Sequence, residues 1–219
     1  MRLVLSFLAS VLTAGCASLP DVQPWFNSSG ASKPPSIVGS RGPLSPERAA
    51  RVLARLQSDP GNDDYLEAVV KETLRVRPVV IDVARVAKRE VEIGGWRIPT
   101  GTIVVPAIAL VQLRPDLYPE PRAFRPERFL GDDQPPAYYW IPFGGGVRRC
   151  IGAAFAQLEI KTVLRTILAS ARLSAPDTAP ERQLSRHVTL VPGRDAQVRM
   201  HARVAAADNE KALQLSSRA

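Results

Sequence analysis

Cys150 closes the segment Phe143-Gly-Gly-Gly-Val-Arg-Arg-Cys150-Ile-Gly152, a spacing that suits a cysteine acting as an anionic axial ligand to a metal. A thiolate needs compensating positive potential. The helical stretch that begins just after Cys150 supplies it through unpaired N–H groups and its macrodipole. Gly144, Gly145, Gly146 and Gly152 lack Cβ atoms, so the backbone can lie close against a flat macrocycle. Arg148, just upstream of the cysteine, carries a planar fork suited to a carboxylate on such a group. A phosphate-binding loop is excluded, because no Gly-Lys-Ser/Thr follows the glycines and the residue ahead of the helix is cysteine. The bland alternative for Cys150 is a small buried hydrophobe, as most unpaired cysteines are.

Two further groups of charged residues bear on this segment. Glu72-Thr-Leu-Arg75 falls in a predicted helix, on the side opposite its apolar face. By itself it reads as an i,i+3 ion pair on a solvated surface, worth about 0.3 kcal/mol. Phe124-Arg-Pro-Glu-Arg128-Phe129 lies in a proline-rich stretch. Together the three resemble signatures of the cytochrome P-450 family, in that family's order. The ligand loop F-G-x-G-x-R-x-C-x-G has every fixed position filled, and E-x-x-R and P-E-R-F precede it.

The resemblance covers roughly residues 45–203 and implies an α-dominated α+β fold: the C-terminal, haem-binding half of the cytochrome P-450 fold, helices with small antiparallel sheets. It implies a haem-thiolate monooxygenase that inserts one oxygen atom of dioxygen into a lipophilic substrate. Cys150 would be the axial ligand of the haem iron, pushing electron density onto it to favour O–O cleavage. Arg148 would anchor one haem propionate and Arg85 the other, and Phe143, Gly144, Gly146 and Gly152 would surround the ligand. Glu72, Arg75 and Arg128 would form a triad that pins the irregular stretch leading into the loop. Val80, Ile81, Val83, Thr189 and Leu190 match segments that line the substrate pocket, although apolar residues there equally suit a core. Electrons would come indirectly from NAD(P)H through an acidic ferredoxin or flavodoxin-type partner, with Arg149, Lys161 and Arg165 as its contacts.

One part of the family pattern is missing. The distal helix with its A-G-x-x-T motif belongs shortly before Ser45, and residues 17–43, with their prolines and glycines, contain nothing like it. The expectation is therefore a truncated monooxygenase. The alternatives are a non-catalytic fragment that lacks the oxygen-activating helix, and a lipid-anchored envelope protein. The last arises from residues 1–16, a signal-peptide-like start in which Leu12-Thr-Ala-Gly-Cys16 resembles a lipobox with Cys16 as the lipidated residue. A cytoplasmic location is expected, with a membrane-anchored lipoprotein as its alternative.

The chain has 219 residues and a hydrophobic content of 45%, room for one large or two small domains. Its formal charge is +8, but the basic residues are scattered, with no block and no interleaved aromatics, which argues against nucleic-acid binding. The two cysteines lie far apart in unlike contexts and suggest no disulfide. His187 and His201 read as plain surface or strand residues. Residues 17–44 read as a Pro/Gly/Ser linker: only Arg2, Asp21, Lys33 and Arg41 are charged before Ser45.

The elements that must position the site follow. Ser45 and Pro46 open a helix that Ser58-Asp-Pro-Gly61 ends, with Val52, Leu53 and Leu56 on one face. A second helix spans about 63–77, apolar at Leu66, Val69, Val70, Thr73 and Leu74, and Pro78 ends it. Runs at 82–86, 90–93, 96–98 and 102–106, punctuated by Gly94-Gly95 and Pro99-Thr-Gly101, predict hairpins of a small antiparallel sheet. Residues 114–142 form an irregular, proline-rich meander. The helix after Cys150 reaches about residue 171, apolar at Ile151, Phe155, Leu158, Ile160, Val163, Leu164 and Ile167. Residues 188–191 and 197–202 predict a last hairpin, and 204–219 a polar tail.

Overall fold

Pro46 at a first helical position, where its missing N–H costs nothing, opens α1 (Pro46–Ser58). This is a computed structural model, and it describes residues 46–132, 134–174 and 181–203. The signal-like start with Cys16, the linker, the Ser45 cap and the polar tail lie outside the described residues. The chain divides into two compact units, Ala68–Ile151 and the flanking segments up to Glu67 and from Gly152 onward.

In the flanking unit, α1 buries Leu56, with Val52 and Leu53 half-buried. The helix α2 (Asp63–Val76) starts here, its first turn carrying Asp63 and Asp64 where the dipole favours acid. Asn62 precedes it and accepts the Tyr65 N–H at 2.9 Å, an N-terminal cap. The long helix α4 (Ala153–Ser170) buries Ala153, Ala156, Leu168 and Ala169. Its expected apolar stripe is only partly covered: Ile160, Val163, Leu164 and Ile167 are half-buried, whereas Phe155 and Leu158 are exposed. Lys161 pairs with Glu67 at 2.9 Å, and Arg165 pairs with Asp63, so two ion pairs tie α4 to the start of α2.

The C-terminal strands correct the expected last hairpin. Strand β7 (Thr189–Pro192) pairs with β6 (Gln183–Arg186), whereas β8 (Arg199–Arg203) pairs with β5 (Ala171–Ser174), which follows α4 directly. Thus residues 188–191 and 197–202 do not pair with each other. Arg186↔Thr189 leaves a two-residue turn, which His187 enters with φ 57, so the nearest partner of β7 lies before it in the chain.

In the Ala68–Ile151 unit, α2 continues to Val76 and buries Ala68, Val69, Val70 and Leu74. Thr73, expected on this face, is exposed, and its hydroxyl donates back to the Val69 carbonyl at 2.7 Å. Four short strands follow: β1 (Arg85–Val86), β2 (Val91–Ile93), β3 (Trp96–Ile98) and β4 (Ile103–Val104). They nest as two ribbons, β2 with β3 inside and β1 with β4 outside. Gly94 and Gly95, at φ 58 and 82, make the tight inner turn that only glycine adopts without strain. The strand expected from residue 82 begins only at Arg85. Over 81–83 the backbone bonds instead to later chain, Ala109 N–H to the Ile81 carbonyl and Val83 N–H to the Pro106 carbonyl. The short helix α3 (Ile108–Gln112) was not legible in the sequence; it buries Ile108 and Gln112. Beyond it the chain is irregular, as expected, apart from a 3-10 turn over Pro126–Phe129. Phe129 and Tyr118 pack with Ala68 in a small core, joined by Leu117, Leu130 and Trp140.

Candidate functional site

Arg75 is fully buried and uses all five of its N–H donors. Its Nε donates to Glu72 Oε2 at 2.6 Å and its Nη2 to Glu72 Oε1 at 2.8 Å, a two-point pair set by the i,i+3 spacing on α2. The remaining donors reach the Gln112, Pro121 and Ala123 carbonyls at 2.7, 2.8 and 3.3 Å. Glu72, also fully buried, accepts in addition the Arg125 N–H at 2.8 Å. The third cation, Arg128, places its Nε 3.5 Å from Glu72 Oε1 and donates from Nη2 to the Glu120 carbonyl at 2.9 Å. Burial holds the Arg128 guanidinium below its ordinary pKa, against the upward pull of Glu72.

Taking such a pair out of water costs several kcal/mol per ion, which only excellent geometry and complete hydrogen bonding can offset. Here the carbonyls come from 112, 121 and 123, in a stretch with almost no ladder hydrogen bonds of its own. The ion pair and the irregular chain therefore satisfy each other. A helix face that reads as solvated in isolation is covered.

Cys150 lies at the end of a loop closed by its own backbone. The Cys150 N–H donates to the Phe143 carbonyl at 2.9 Å, and the Gly144 N–H to the Ile141 carbonyl at 2.9 Å. Gly144 and Gly146 turn the chain at φ 71 and 63, followed by a 3-10 turn over Gly146–Arg148. The Cys150 thiol is free and exposed, so the residue is not a small buried core hydrophobe. Arg148 and Arg149 are also exposed, as are Val147 and Ile151. Two positions along the chain, Gly152 is the N-cap residue of α4.

The sequence reading missed three residues that build this region. Trp140 donates from Nε1 to the Lys71 carbonyl at 3.0 Å and makes edge contacts with Phe129 and Phe143. Gln112 gives its carbonyl to Arg75 and its side-chain amide to the Tyr139 carbonyl at 3.2 Å. Tyr118 lies under the Arg75 guanidinium, 4.9 Å from carbon to ring centre. Burial pushes its phenol up to about 12, more than the Arg75 charge pulls it down. None of the three stands in a repeating pattern. An aromatic shortly ahead of the Phe143–Gly146 segment was the one available signal, for Trp140.

The other expected positions fall in both units. Arg85 is exposed on β1 and donates to the neighbouring Ala84 carbonyl at 2.9 Å. Val80, Ile81 and Val83 are half-buried in irregular chain. Thr189 is buried and donates to the Arg186 carbonyl at 2.9 Å, and Leu190 is half-buried beside it on β7. Lys161 and Arg165 are engaged with Glu67 and Asp63, while Arg149 is exposed. Among the described residues, no helix is long and apolar enough to cross a membrane.

Comparison with known proteins places these features in a family. A model of the Cytochrome P450 family matches residues 57–200. The chain belongs to the cytochrome P450 family. It is 48% identical over 164 residues to cytochrome P450 135B1 of Mycobacterium tuberculosis, covering 74% of this chain and 34% of that protein. It is 44% identical over 154 residues to cytochrome P450 137 of the same organism, covering 70% of this chain and 32% of the relative. The chain thus spans about a third of the length of the curated relatives it matches. Among solved structures, a cyanobacterial CYP120A1 with retinoic acid bound matches with a TM-score of 0.62 at 26% identity, over 71% of this chain and 39% of that one. The haem domain of cytochrome P450DA matches with a TM-score of 0.64 at 26% identity, over 72% and 38%. The architecture is a partial P450 fold, with helices and small antiparallel sheets.

Proposed function

We propose that this chain carries the haem-ligating part of a haem-thiolate monooxygenase, with Cys150 as the axial ligand of the iron. The observation that carries this reading is the free, exposed thiol at the end of a loop closed by its own Phe143–Cys150 hydrogen bond. The residues present fit haem. A Cβ placed on Gly144, Gly145 or Gly146 would meet nothing within 4 Å, so that face of the loop is open to a flat group. The donor set, one soft thiol with exposed arginines in the same unit, suits an iron macrocycle bearing two carboxylates. When bound, haem would supply the activation of dioxygen and the insertion of one oxygen atom into a lipophilic organic substrate.

The protein's part is to hold and tune. Cys150 would hold the group through its sulfur, and Arg148 and Arg85 would pair with its propionates. Phe143 would pack beside the ligand, and Gly144, Gly146 and Gly152 would keep side chains out of the way. Glu72, Arg75 and Arg128 would keep the meander, and through it the loop, in one geometry. Val80, Ile81, Val83, Thr189 and Leu190 would contribute to substrate contact, Thr189 through its methyl group because its hydroxyl is engaged. Electrons would arrive from NAD(P)H through an acidic ferredoxin or flavodoxin-type protein. Arg149 is open to such a partner, whereas at Lys161 and Arg165 a partner's carboxylates would compete with Glu67 and Asp63. A cytoplasmic location completes the reading.

A second reading is haem binding without turnover. One spectrum tests the shared part. After haem loading, reduction and exposure to carbon monoxide, a strongly red-shifted Soret band that Cys150→Ala abolishes is expected. An unshifted band indifferent to that substitution would overturn thiolate ligation. Substrate turnover with a ferredoxin and its reductase then separates the two readings.

A further inference from the structure

Trp140 is half-buried just ahead of the glycine loop and touches three parts of the same unit. Its Nε1–H donates to the Lys71 carbonyl at 3.0 Å, on α2 and next to Glu72 in the chain. Its ring meets Phe129 of the small core edge-on, with centres 6.3 Å apart and planes at 71°. It meets Phe143 likewise, at 6.0 Å and 70°. Phe143 is the residue whose carbonyl accepts the Cys150 N–H. The remaining backbone bonds of the loop, Gly144 to Ile141 and Arg149 to Gly146, are local and close turns without reaching the core.

We infer that Trp140 is a positioning residue: it transmits the rigidity of the buried charged helix face to the Cys150 loop. The inference rests on the reading of Cys150 as the haem ligand for its consequence, but not for its geometry. An indole suits the place because it is large enough to offer edges and faces to two rings and also has an N–H for a helix carbonyl. Edge-to-face contacts fix ring angle as well as distance, so Phe143, and with it the acceptor of the Cys150 amide, is held in one orientation. Without this hold the loop would keep its local turns but lose its registration on α2.

The test uses the full chain with Cys16→Ser, so that Cys150 is its only thiol, with and without Trp140→Phe. The phenyl ring keeps an aromatic group and removes the N–H donor. Amide hydrogen exchange is read at Cys150 and, as a control beside the β1–β4 ribbon, at Gly101, whose N–H donates to the Ala87 carbonyl at 2.8 Å. Exchange at Cys150 is expected to rise about tenfold in the variant, as for one lost hydrogen bond, while Gly101 is unchanged. In haem-loaded protein the red-shifted carbon monoxide band should shrink in the same variant. Phe129→Leu should act in the same direction, and it carries the test if Trp140→Phe does not fold. Unchanged exchange at Cys150, or an equal rise at Cys150 and Gly101, would overturn the inference. If the parent chain takes up no haem, the functional reading fails, and the exchange measurement still decides the role of Trp140.

Discussion

The Glu72–Arg75–Arg128 network and the Cys150 loop lie in one unit and are built on opposite terms. In the network, two charges are wholly out of water and every Arg75 donor is used. In the loop, the thiol and the neighbouring arginines are exposed, and the backbone relies on positive-φ glycines and a few local bonds. The first is over-determined, so that losing one member strands the rest. The second is presented, so that its residues remain free to meet a ligand. A site of this kind needs both, because an open loop keeps its geometry only when attached to something that cannot move.

The sharpest way to break the contrast is Glu72→Ala. It leaves Arg75 buried without a counter-charge, and a loss of about 3–5 kcal/mol is expected in urea unfolding. A midpoint matching the parent would show that the network does not anchor the unit.

Tyr118 tests the same burial through pH. Its folded pKa, about 12, lies above the ordinary tyrosine value near 10, so the unfolded chain releases that proton first. The contribution of Tyr118 is therefore complete below pH ~10 and is lost as pH rises toward ~12, at most about 1.4 kcal/mol per pH unit. Tyr118→Phe should flatten that part of the stability profile. At neutral pH the change should cost little, because the phenol has no hydrogen-bond partner among the described residues. Parallel profiles for the two proteins would show that the phenol is not buried in solution.

Smaller effects belong to the loop. Gly146→Val places a branched side chain at φ 63, and a loss of about 1–2 kcal/mol is expected from backbone strain, with open space around the Cβ adding no clash. A Val variant as stable as the parent would mean that the loop relaxes to another conformation. Cys150→Ser should move the unfolding midpoint least, within about 0.5 kcal/mol as for exposed positions, yet remove the red-shifted carbon monoxide band entirely. A large stability loss from it would make Cys150 part of the scaffold and erase the distinction.

Legibility followed the same division. The loop could be read residue by residue, because its chemistry lies within ten consecutive positions and its turns need glycine wherever they occur. Helices α1, α2 and α4 were legible from prolines and apolar spacing, and the inner hairpin from Gly94-Gly95. Strand partners were not. The predicted pairing of 188–191 with 197–202 failed because β5, directly after α4, was available to β8, and β6 to β7 across a two-residue turn. Helix α3 is too short to show a period. Thr73 sits at an apolar helical position but faces out, its hydroxyl satisfied by the preceding turn.

What the amino-acid sequence determined by itself is local: the cysteine after its glycines, the i,i+3 Glu72–Arg75 pair, the helix boundaries and the irregularity of 114–142. Backbone dihedral limits and side-chain spacing act over a few residues and need no partner. What only the tertiary structure decided is which of these become buried and what they touch. The Glu72–Arg75 pair passes from a surface contact of small value to the centre of the unit because carbonyls tens of residues away arrive to take its donors. Trp140 acquires a role because α2, the small core and the loop converge on it. Such convergence depends on chain closure over long separations, to which no local pattern in the sequence corresponds.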